Sequence, residues 1–189
     1  MESSIIIAGF GGQGVLFAGQ LLAYAGMDSG YNVTWIPSYG PEMRGGTANC
    51  TVIISDAPIG TPIVAQPDIA VVLNQPSFDK YELLVQSGGL LVVNSSLIAA
   101  KTTRADIESV YVPANAIAEE RGTAKMLNMA LLGAMVAKRP ILPLAVIEQA
   151  VAGHLPPDKA HLLEANLQVL RRGYELILPK IETLWLPSL

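Results

Sequence analysis

Short runs of β-branched and apolar residues alternate along the chain with segments in which apolar residues recur at helical spacing. Continuous apolar runs of this length are typical of strands buried inside a parallel sheet. The pattern predicts strands at residues 4–8, 31–36, 49–55, 68–73, 90–94 and 109–112. It predicts helices at residues 14–27, 78–85, 125–138, 144–152 and from 157 through 172.

The order of these elements predicts an α/β protein. Strands and helices alternate up to about residue 113, after which the pattern is helical, and no internal repeat or long linker interrupts it. We therefore expect a single domain over residues 1–189, with a Rossmann-like, doubly wound and mostly parallel sheet. Helices should cover both faces of that sheet and form the C-terminal third.

Composition narrows the choice of partners. The chain is 51% hydrophobic and 15% charged, with a formal net charge of -4. Low charge in a folded chain favours a subunit whose apolar surplus meets another protein, and the acidic balance argues against nucleic acid and anionic membranes as partners. Cys50 is the single cysteine, so the chain has too few thiolates for a disulfide or an iron-sulfur cluster.

The stretch from residue 3 to residue 27 carries no charge and has the length of a membrane span. It also contains six glycines and two glutamines, and Glu2 stands where a signal peptide would carry a positive charge. We therefore expect a strand, a turn and a helix here, in a soluble cytoplasmic protein.

A G-x-G-x-x-G motif at residues 9–14 lies between the first predicted strand and helix. In this context Gly9 permits a tight turn, Gly11 lets a ligand approach the backbone, and Gly14 lets the helix pack on the strand. The start of the helix offers unpaired N–H groups to a phosphate. The motif therefore favours anion binding, and the alternative is a turn that serves only to pack the helix.

The residues after the second strand disfavour NAD as the ligand. Binding of NAD usually requires an acidic residue at the end of that strand, where it holds the ribose hydroxyls. Here the strand ends Ile36-Pro37-Ser38, and the next acid is Glu42.

The segment 37–47 is rich in Gly and Pro and is predicted to be a loop at the same sheet edge as the glycine motif. Arg44 is the only base among the first 79 residues, against six acids, and two glycines follow it. A guanidinium in this setting suits a bidentate contact with phosphate or carboxylate. The alternatives are an ion pair with Glu42 or a contact with a neighbouring subunit; Tyr39 could stack on a ring or cap the core.

Three other features have structural interpretations. His154 and His161 have no third ligand nearby, which favours a surface or packing role over a metal site. Cys50 is expected to be a small buried residue on a strand. Asn74 closes a strand and either lines the edge near the glycine motif or contacts another subunit.

Five segments together resemble the gamma subunit of 2-oxoacid:ferredoxin oxidoreductases, and the resemblance covers nearly the whole chain. They are GFGGQGV, SYGPEMRGGTANC, LNQPSFDKY, NMALLGAM and the pattern of Asn166, Leu170, Gly173, Tyr174 and Glu175. The second and third segments look most like the 2-oxoglutarate branch, while the pyruvate, 2-oxoisovalerate and indolepyruvate branches share the general form.

This resemblance implies a thiamine-diphosphate-dependent enzyme that oxidatively decarboxylates 2-oxoglutarate or a related 2-oxoacid to its acyl-CoA and passes electrons to ferredoxin. The chain would be one subunit beside alpha, beta and delta subunits. Thiamine diphosphate would be held mainly by the alpha and beta subunits and the iron-sulfur clusters by others, with coenzyme A on the gamma side. The isolated chain is expected to be inactive.

The resemblance and the motifs imply a set of ligand-proximal positions without any proton-transfer role or metal ligand. These are Gly9, Gly11, Gly12, Gln13, Gly14, Ser38, Tyr39, Arg44, Gly45 and Gly46. Two other functions stay open: a stand-alone, nucleotide-binding Rossmann oxidoreductase, and a non-catalytic scaffold subunit whose glycine loops only pack subunits.

Overall fold

A computed structural model of the chain describes residues 1–40, 45–121 and 123–178. Within these residues the strands are β1 Glu2–Phe10, β2 Asn32–Tyr39, β3 Thr47–Ser55, β4 Ile69–Val72, β5 Leu90–Asn94 and β6 Glu108–Val112. The helices are α1 Val15–Asp28, α2 Gln75–Tyr81, α3 Ala114–Glu119, α4 Leu127–Lys138, α5 Leu144–His154 and α6 Leu163–Ile177. Short 3-10 turns lie at Glu82–Leu84, Ala124–Met126 and Pro157–Leu162.

The strands form one mixed sheet in the order β2-β3-β1-β4-β5-β6. In the part of the sheet formed by β1, β4, β5 and β6, neighbouring strands are parallel. β3 runs antiparallel to both of its neighbours, β1 and β2. Ile7 of β1 accordingly pairs with Cys50 of β3 on one side and with Val71 of β4 on the other. The predicted mostly parallel α/β sheet is confirmed, with one reversed strand that the sequence pattern did not indicate.

The loop predicted at residues 37–47 is longer than the observed connection, because β2 and β3 form an antiparallel hairpin. The pairing extends to Tyr39 and Ala48, so the connection shortens to residues 40–46. Pro37 is tolerated within β2 because this strand lies at the edge of the sheet, where a missing N–H costs least. Strand pairing thus overrode the turn signals of the local sequence.

Several other boundaries differ from the sequence pattern. β1 is two residues longer at each end than predicted, and α3 was not predicted. α2 begins at Gln75 because the Asn74 side chain caps it by accepting from the backbone N of Ser77. The last helix begins at Leu163, since the preceding turn is 3-10.

Helices cover both faces of the sheet, as predicted, but unequally. Ile5 and Ile7 of β1 belong to the larger core, which lies beneath α1 and α4 and extends to α5 and α6. Ile6 and Ala8 point the other way and pack with residues of α2. This alternation is the two-residue period of a strand buried on both faces.

The uncharged stretch 3–27 folds as most of β1, the glycine turn and most of α1. Among the residues that the structure describes, no helix combines the length and the apolar character that crossing a membrane requires.

The helical C-terminal part is held by a backbone-to-backbone contact between α4 and α6. A Cβ atom at Gly133 would collide with the carbonyl oxygen of Leu170, and one at Gly173 would collide with that of Ala130. The two helices therefore cross at paired glycines, which lets α6 lie directly on α4. α4 in turn packs on the strands, so this crossing attaches the C-terminal layer to the sheet.

α1 packs on the β2–β3 hairpin through Gly19, another glycine at a close contact. A Cβ atom at Gly19 would meet the sulfur of Cys50, which lies on β3 and is fully buried, as expected. Burial raises the pKa of the Cys50 thiol from 9.0 to about 12, because a thiolate there would lack solvation. The thiol therefore contributes to stability only while it stays protonated.

We expect Gly173→Ala to destabilise the fold, since the added methyl has no space between α4 and α6. The expected loss is about 1–3 kcal/mol of unfolding free energy, despite the better helix propensity of alanine. Thermal unfolding followed by circular dichroism measures it. Gly153→Ala in α5 is the matched control, because a Cβ atom there would have no neighbour within 4 Å; a wild-type midpoint for Gly173→Ala would contradict the close crossing.

The Cys50 thiol predicts a loss of stability at alkaline pH. Its stabilising contribution is complete below pH 9, the ordinary pKa, and is lost as the pH rises toward about 12. Between pH 8 and pH 10 the wild type should lose about 1.4 kcal/mol more than Cys50→Ala does. Urea unfolding of both proteins at both pH values tests this, and equal losses would contradict it.

Candidate functional site

The glycine turn that follows β1 needs glycine for its backbone conformation. Gly12 has φ 98° and Gly14 has φ 76°, both in the left-handed region that side chains disfavour. The backbone N of Gln13 donates to the carbonyl oxygen of Phe10 at 3.1 Å and closes the turn. The chain then enters α1 at Val15.

Gly14 also lacks space for a side chain, because Asn128 of α4 lies against it. A Cβ atom there would be 2.5 Å from Asn128 Nδ2, and this amide donates to the Gly14 carbonyl oxygen at 3.1 Å. α4 therefore fixes where α1 starts. The sequence interpretation did not select Asn128, although a single buried amide in an otherwise apolar helix was a usable signal.

The reason for glycine at position 9 differs from the prediction. Gly9 lies within β1, where it pairs with Ala48, and not in the turn. A Cβ atom on Gly9 would be 2.6 Å from Gln13 Oε1 and 2.9 Å from the Leu73 Cβ. Gly9 is thus required by close packing, and it makes space for the side chain of Gln13.

Gln13 itself faces inward. Its Oε1 accepts from the backbone N of Phe10 at 2.7 Å and from Asn74 Nδ2 at 3.4 Å. The Gln13 side chain therefore stabilises the turn from the side facing Asn74, and it does not line the cleft.

The β2–β3 hairpin forms the opposite wall and is tied directly to the turn. The backbone N of Gly11 donates to the Gly46 carbonyl oxygen at 2.9 Å. Tyr39 is 62% exposed at the end of β2. Ser38, the neighbouring residue on the same strand, points to the other face of the sheet.

Between these two walls lies an open cleft of about 510 Å³. Its lining residues are uncharged and mostly apolar; they are Phe10, Gly11, Gly12, Gly14, Val15, Leu16, Phe17, Tyr39, Gly46, Thr47 and Ala48. The first turn of α1 borders the cleft and carries no acidic residue, and no side chain of the described residues caps that helix. The N–H groups at the start of α1, which have no partner within the helix, therefore lie at the border of an apolar space.

The fold brings half of the sequence-predicted positions to this cleft. Gly11, Gly12, Gly14, Tyr39 and Gly46 line it. Gly9 and Gln13 lie behind the turn, Ser38 is on the other face, and Gly45, with φ 80°, precedes a lining residue. Arg44, like Glu42, lies outside the described residues.

His154 has a structural role. Its ring stacks on Tyr24 with centroids 4.0 Å apart, and its Nε2 lies 2.9 Å from Asp28 Oδ2. These contacts join the C-terminal ends of α5 and α1. In the described ranges no three His, Cys, Asp or Glu side chains come together as a metal ion would require.

The sheet order also bears on dinucleotide binding. The glycine turn follows β1, whereas the strand whose end would carry the ribose-binding acid is β2, and β3 lies between them. β2 ends with Ser38 and Tyr39, neither of which is acidic. Both the residue type and the position therefore depart from an NAD site.

Comparisons with known proteins agree with this architecture. The family model described as pyruvate ferredoxin/flavodoxin oxidoreductase matches residues 4–176. The ketoisovalerate oxidoreductase subunit VorA of Methanothermobacter thermautotrophicus is 38% identical over 185 residues, which are 96% of this chain and 38% of that protein. The 2-oxoglutarate synthase subunit KorC of Methanocaldococcus jannaschii is 34% identical, covering 93% of this chain and 94% of the relative.

A solved structure is similar over the same extent. The gamma subunit of a keto/oxoacid ferredoxin oxidoreductase from Geobacter sulfurreducens superposes with a TM-score of 0.80 at 31% identity, covering 93% of this chain and 95% of that one. The chain spans less than two fifths of the VorA relative, yet nearly all of the KorC relative and of this gamma subunit. Because the family model matches nearly the whole sequence, the chain belongs to the pyruvate ferredoxin/flavodoxin oxidoreductase family.

Proposed function

We propose that this chain is the gamma subunit of a heteromeric, CoA-acylating 2-oxoacid:ferredoxin oxidoreductase and that its cleft receives part of coenzyme A. The observation that carries the proposal is the uncharged cleft between the glycine turn and the β2–β3 hairpin, with the start of α1 at its border. The backbone N–H groups and the positive dipole end of a helix start favour a phosphate in such a position.

The lining suits a molecule that combines phosphates with apolar parts. Phe10, Phe17 and Tyr39 present aromatic rings, while Gly11 and Gly12 leave the backbone open to close approach. Coenzyme A has a diphosphate between an adenine ring and a long pantetheine arm, so one end can lie against the rings while the diphosphate meets the helix start.

The difficult chemistry belongs to other subunits in this proposal. The chain has one cysteine, Cys50, which is buried beneath α1, so iron-sulfur clusters must be held elsewhere. Thiamine diphosphate, held mainly by the alpha and beta subunits, supplies the stabilisation of the carbanion that decarboxylation leaves. The gamma chain contributes a shaped wall that binds and orients coenzyme A.

The substrate is proposed to be 2-oxoglutarate or a related 2-oxoacid. The KorC relative, which matches over nearly its whole length, is named for 2-oxoglutarate, and the VorA relative is named for ketoisovalerate. Alpha, beta and delta subunits are the proposed partners, with ferredoxin as the electron acceptor of the complex.

Gly11→Val in the assembled complex tests the cleft. Gly11 lines the cleft, so we expect the added side chain to obstruct it and the KM for coenzyme A to rise at least tenfold, while the complex still assembles. The assay is the reduction of a viologen dye that depends on both 2-oxoglutarate and coenzyme A. The same assay without the partner subunits should show no turnover by the isolated chain.

Gly60→Val serves as the matched control for that substitution. Gly60 is exposed in the connection between β3 and β4, and a Cβ atom there would have no neighbour within 4 Å. If Gly11→Val assembles and keeps the wild-type KM, the cleft is not the coenzyme A site. Failure of Gly11→Val to assemble, with normal assembly of Gly60→Val, would favour the scaffold function instead.

Arg44→Ala should weaken the use of coenzyme A by about ten- to a hundredfold, because a hydrogen bond to a charged group contributes about 1.5–3 kcal/mol. A helix start contributes less, about 0.3–1 kcal/mol. Arg44 itself lies outside the described residues, but the chain leaves β2 at Gly40 and returns through Gly46 at the rim of the cleft. Arg44→Lys should restore only part of the loss, since it lacks the bidentate fork.

Steady-state kinetics of the assembled complex at varied coenzyme A measure this effect, with gel filtration to check assembly. Arg121→Ala, at an exposed position after α3, is the matched control and should behave as wild type. Normal assembly with wild-type kinetics for Arg44→Ala would contradict the ligand contact. Failure to assemble would instead make Arg44 an interface residue.

A further inference from the structure

Asn74, which follows β4, holds two elements with the two ends of its side-chain amide. Its Oδ1 accepts from the backbone N of Ser77 at 3.0 Å and caps α2. Its Nδ2 donates to Gln13 Oε1 at 3.4 Å. Asn74 is 4% exposed, so a single buried amide joins the start of α2 to the glycine turn.

Gln13 transmits this contact to the wall of the cleft. Its Oε1 accepts from the backbone N of Phe10 at 2.7 Å, and its own backbone N donates to the Phe10 carbonyl oxygen at 3.1 Å. These two bonds close the chain around Gly11 and Gly12, whose backbone lines the cleft. The conformation of that backbone therefore depends on where the Gln13 amide is held.

The orientation of both amides follows from their backbone partners. The N–H groups of Phe10 and Ser77 each require an oxygen acceptor, so each amide turns its oxygen toward the backbone. The nitrogen of Asn74 is then the group that faces Gln13. An amide donor at position 74 is thus complementary to the acceptor at position 13.

The place of this contact in the sheet is informative. β1 and β4 are neighbouring parallel strands whose following helices lie on opposite faces, which is the switch point where doubly wound sheets usually bind ligands. Here Asn74 and Gln13 bridge the switch point, and the open cleft lies on the other side of β1. Asn74 is not among the residues that line the cleft.

We infer that Asn74 is a positioning residue for coenzyme A: through Gln13 it holds the glycine turn, with Gly12 and the start of α1, in the conformation that borders the ligand cleft. The inference rests on the proposed function of the cleft. It assigns a role to the start of α2, an element that the sequence interpretation left between two alternatives.

Asn74→Asp and Asn74→Ser in the assembled complex test this role. Both side chains keep an oxygen that caps α2. Aspartate has no N–H to donate to Gln13, and the serine hydroxyl lies on Cβ, one atom further from Gln13 than the amide nitrogen of Asn74. The KM for coenzyme A should rise about two- to tenfold, the effect of losing one neutral hydrogen bond. The KM for 2-oxoglutarate and the thermal midpoint should stay at wild-type values, and kcat at saturating coenzyme A should keep at least half of its value.

Gln75→Glu is the control for the charge that Asn74→Asp adds. It places the same charge one residue later, where the Gln75 amide bonds with Asp79 at the surface, and its KM should match the wild type. If the Asn74 variants keep the wild-type KM while Gly11→Val raises it, the inference is wrong and the proposed function stands. If Gly11→Val also leaves the KM for coenzyme A unchanged, both the inference about Asn74 and the proposed function of the cleft are wrong. A loss of thermal stability with parallel rises in both KM values would make the role of Asn74 purely structural and overturn the inference.

Discussion

The start of α1 is held so closely by its surroundings that two of its neighbouring positions have no space for a side chain. Gly9 faces the carboxamide of Gln13, and Gly14 faces the amide of Asn128. Because the side chains of Gln13 and Asn128 pack directly on the glycine backbone, the relative positions of β1, α1 and α4 are determined by this side-chain-to-backbone contact. The cleft, the exposed helix start and the rim of the hairpin all depend on that contact.

The reversed strand β3 places the open cleft on its own side of β1, away from β4. In a fully parallel sheet the open crevice is expected at the switch point between β1 and β4. In this chain Asn74 and Gln13 bridge that point, while the paired ends of β2 and β3, together with Gly46, form a second wall facing the glycine turn. The hydrogen bond from Gly11 to Gly46 joins the two walls across the base of the cleft.

These features match the proposed role of a ligand-binding subunit. Among the described residues, those that line the cleft carry no charge, and the cysteine and the histidine whose contacts are described are used in packing. The proposed anion contact combines the N–H groups of the helix start with Arg44, which lies outside the described residues. With Cys50 as its single cysteine, the chain has too few thiolates to hold an iron-sulfur cluster, which fits the proposed division of labour between subunits.

The sequence by itself determined the α/β class, the glycine turn and most elements, because apolar periodicity and glycine placement are local signals that burial enforces. β5 matches its prediction, and the turn at residues 11–14 lies where the motif indicated it. Family segments at both ends of the chain also pointed to the correct family. Only the tertiary structure decided the direction of β3, the inward turn of Gln13 and the contact of Asn128 with Gly14, which lie 114 residues apart. Each of these depends on which strands and helices become neighbours, and side-chain packing between distant segments settles that choice without leaving a periodic signal in either one.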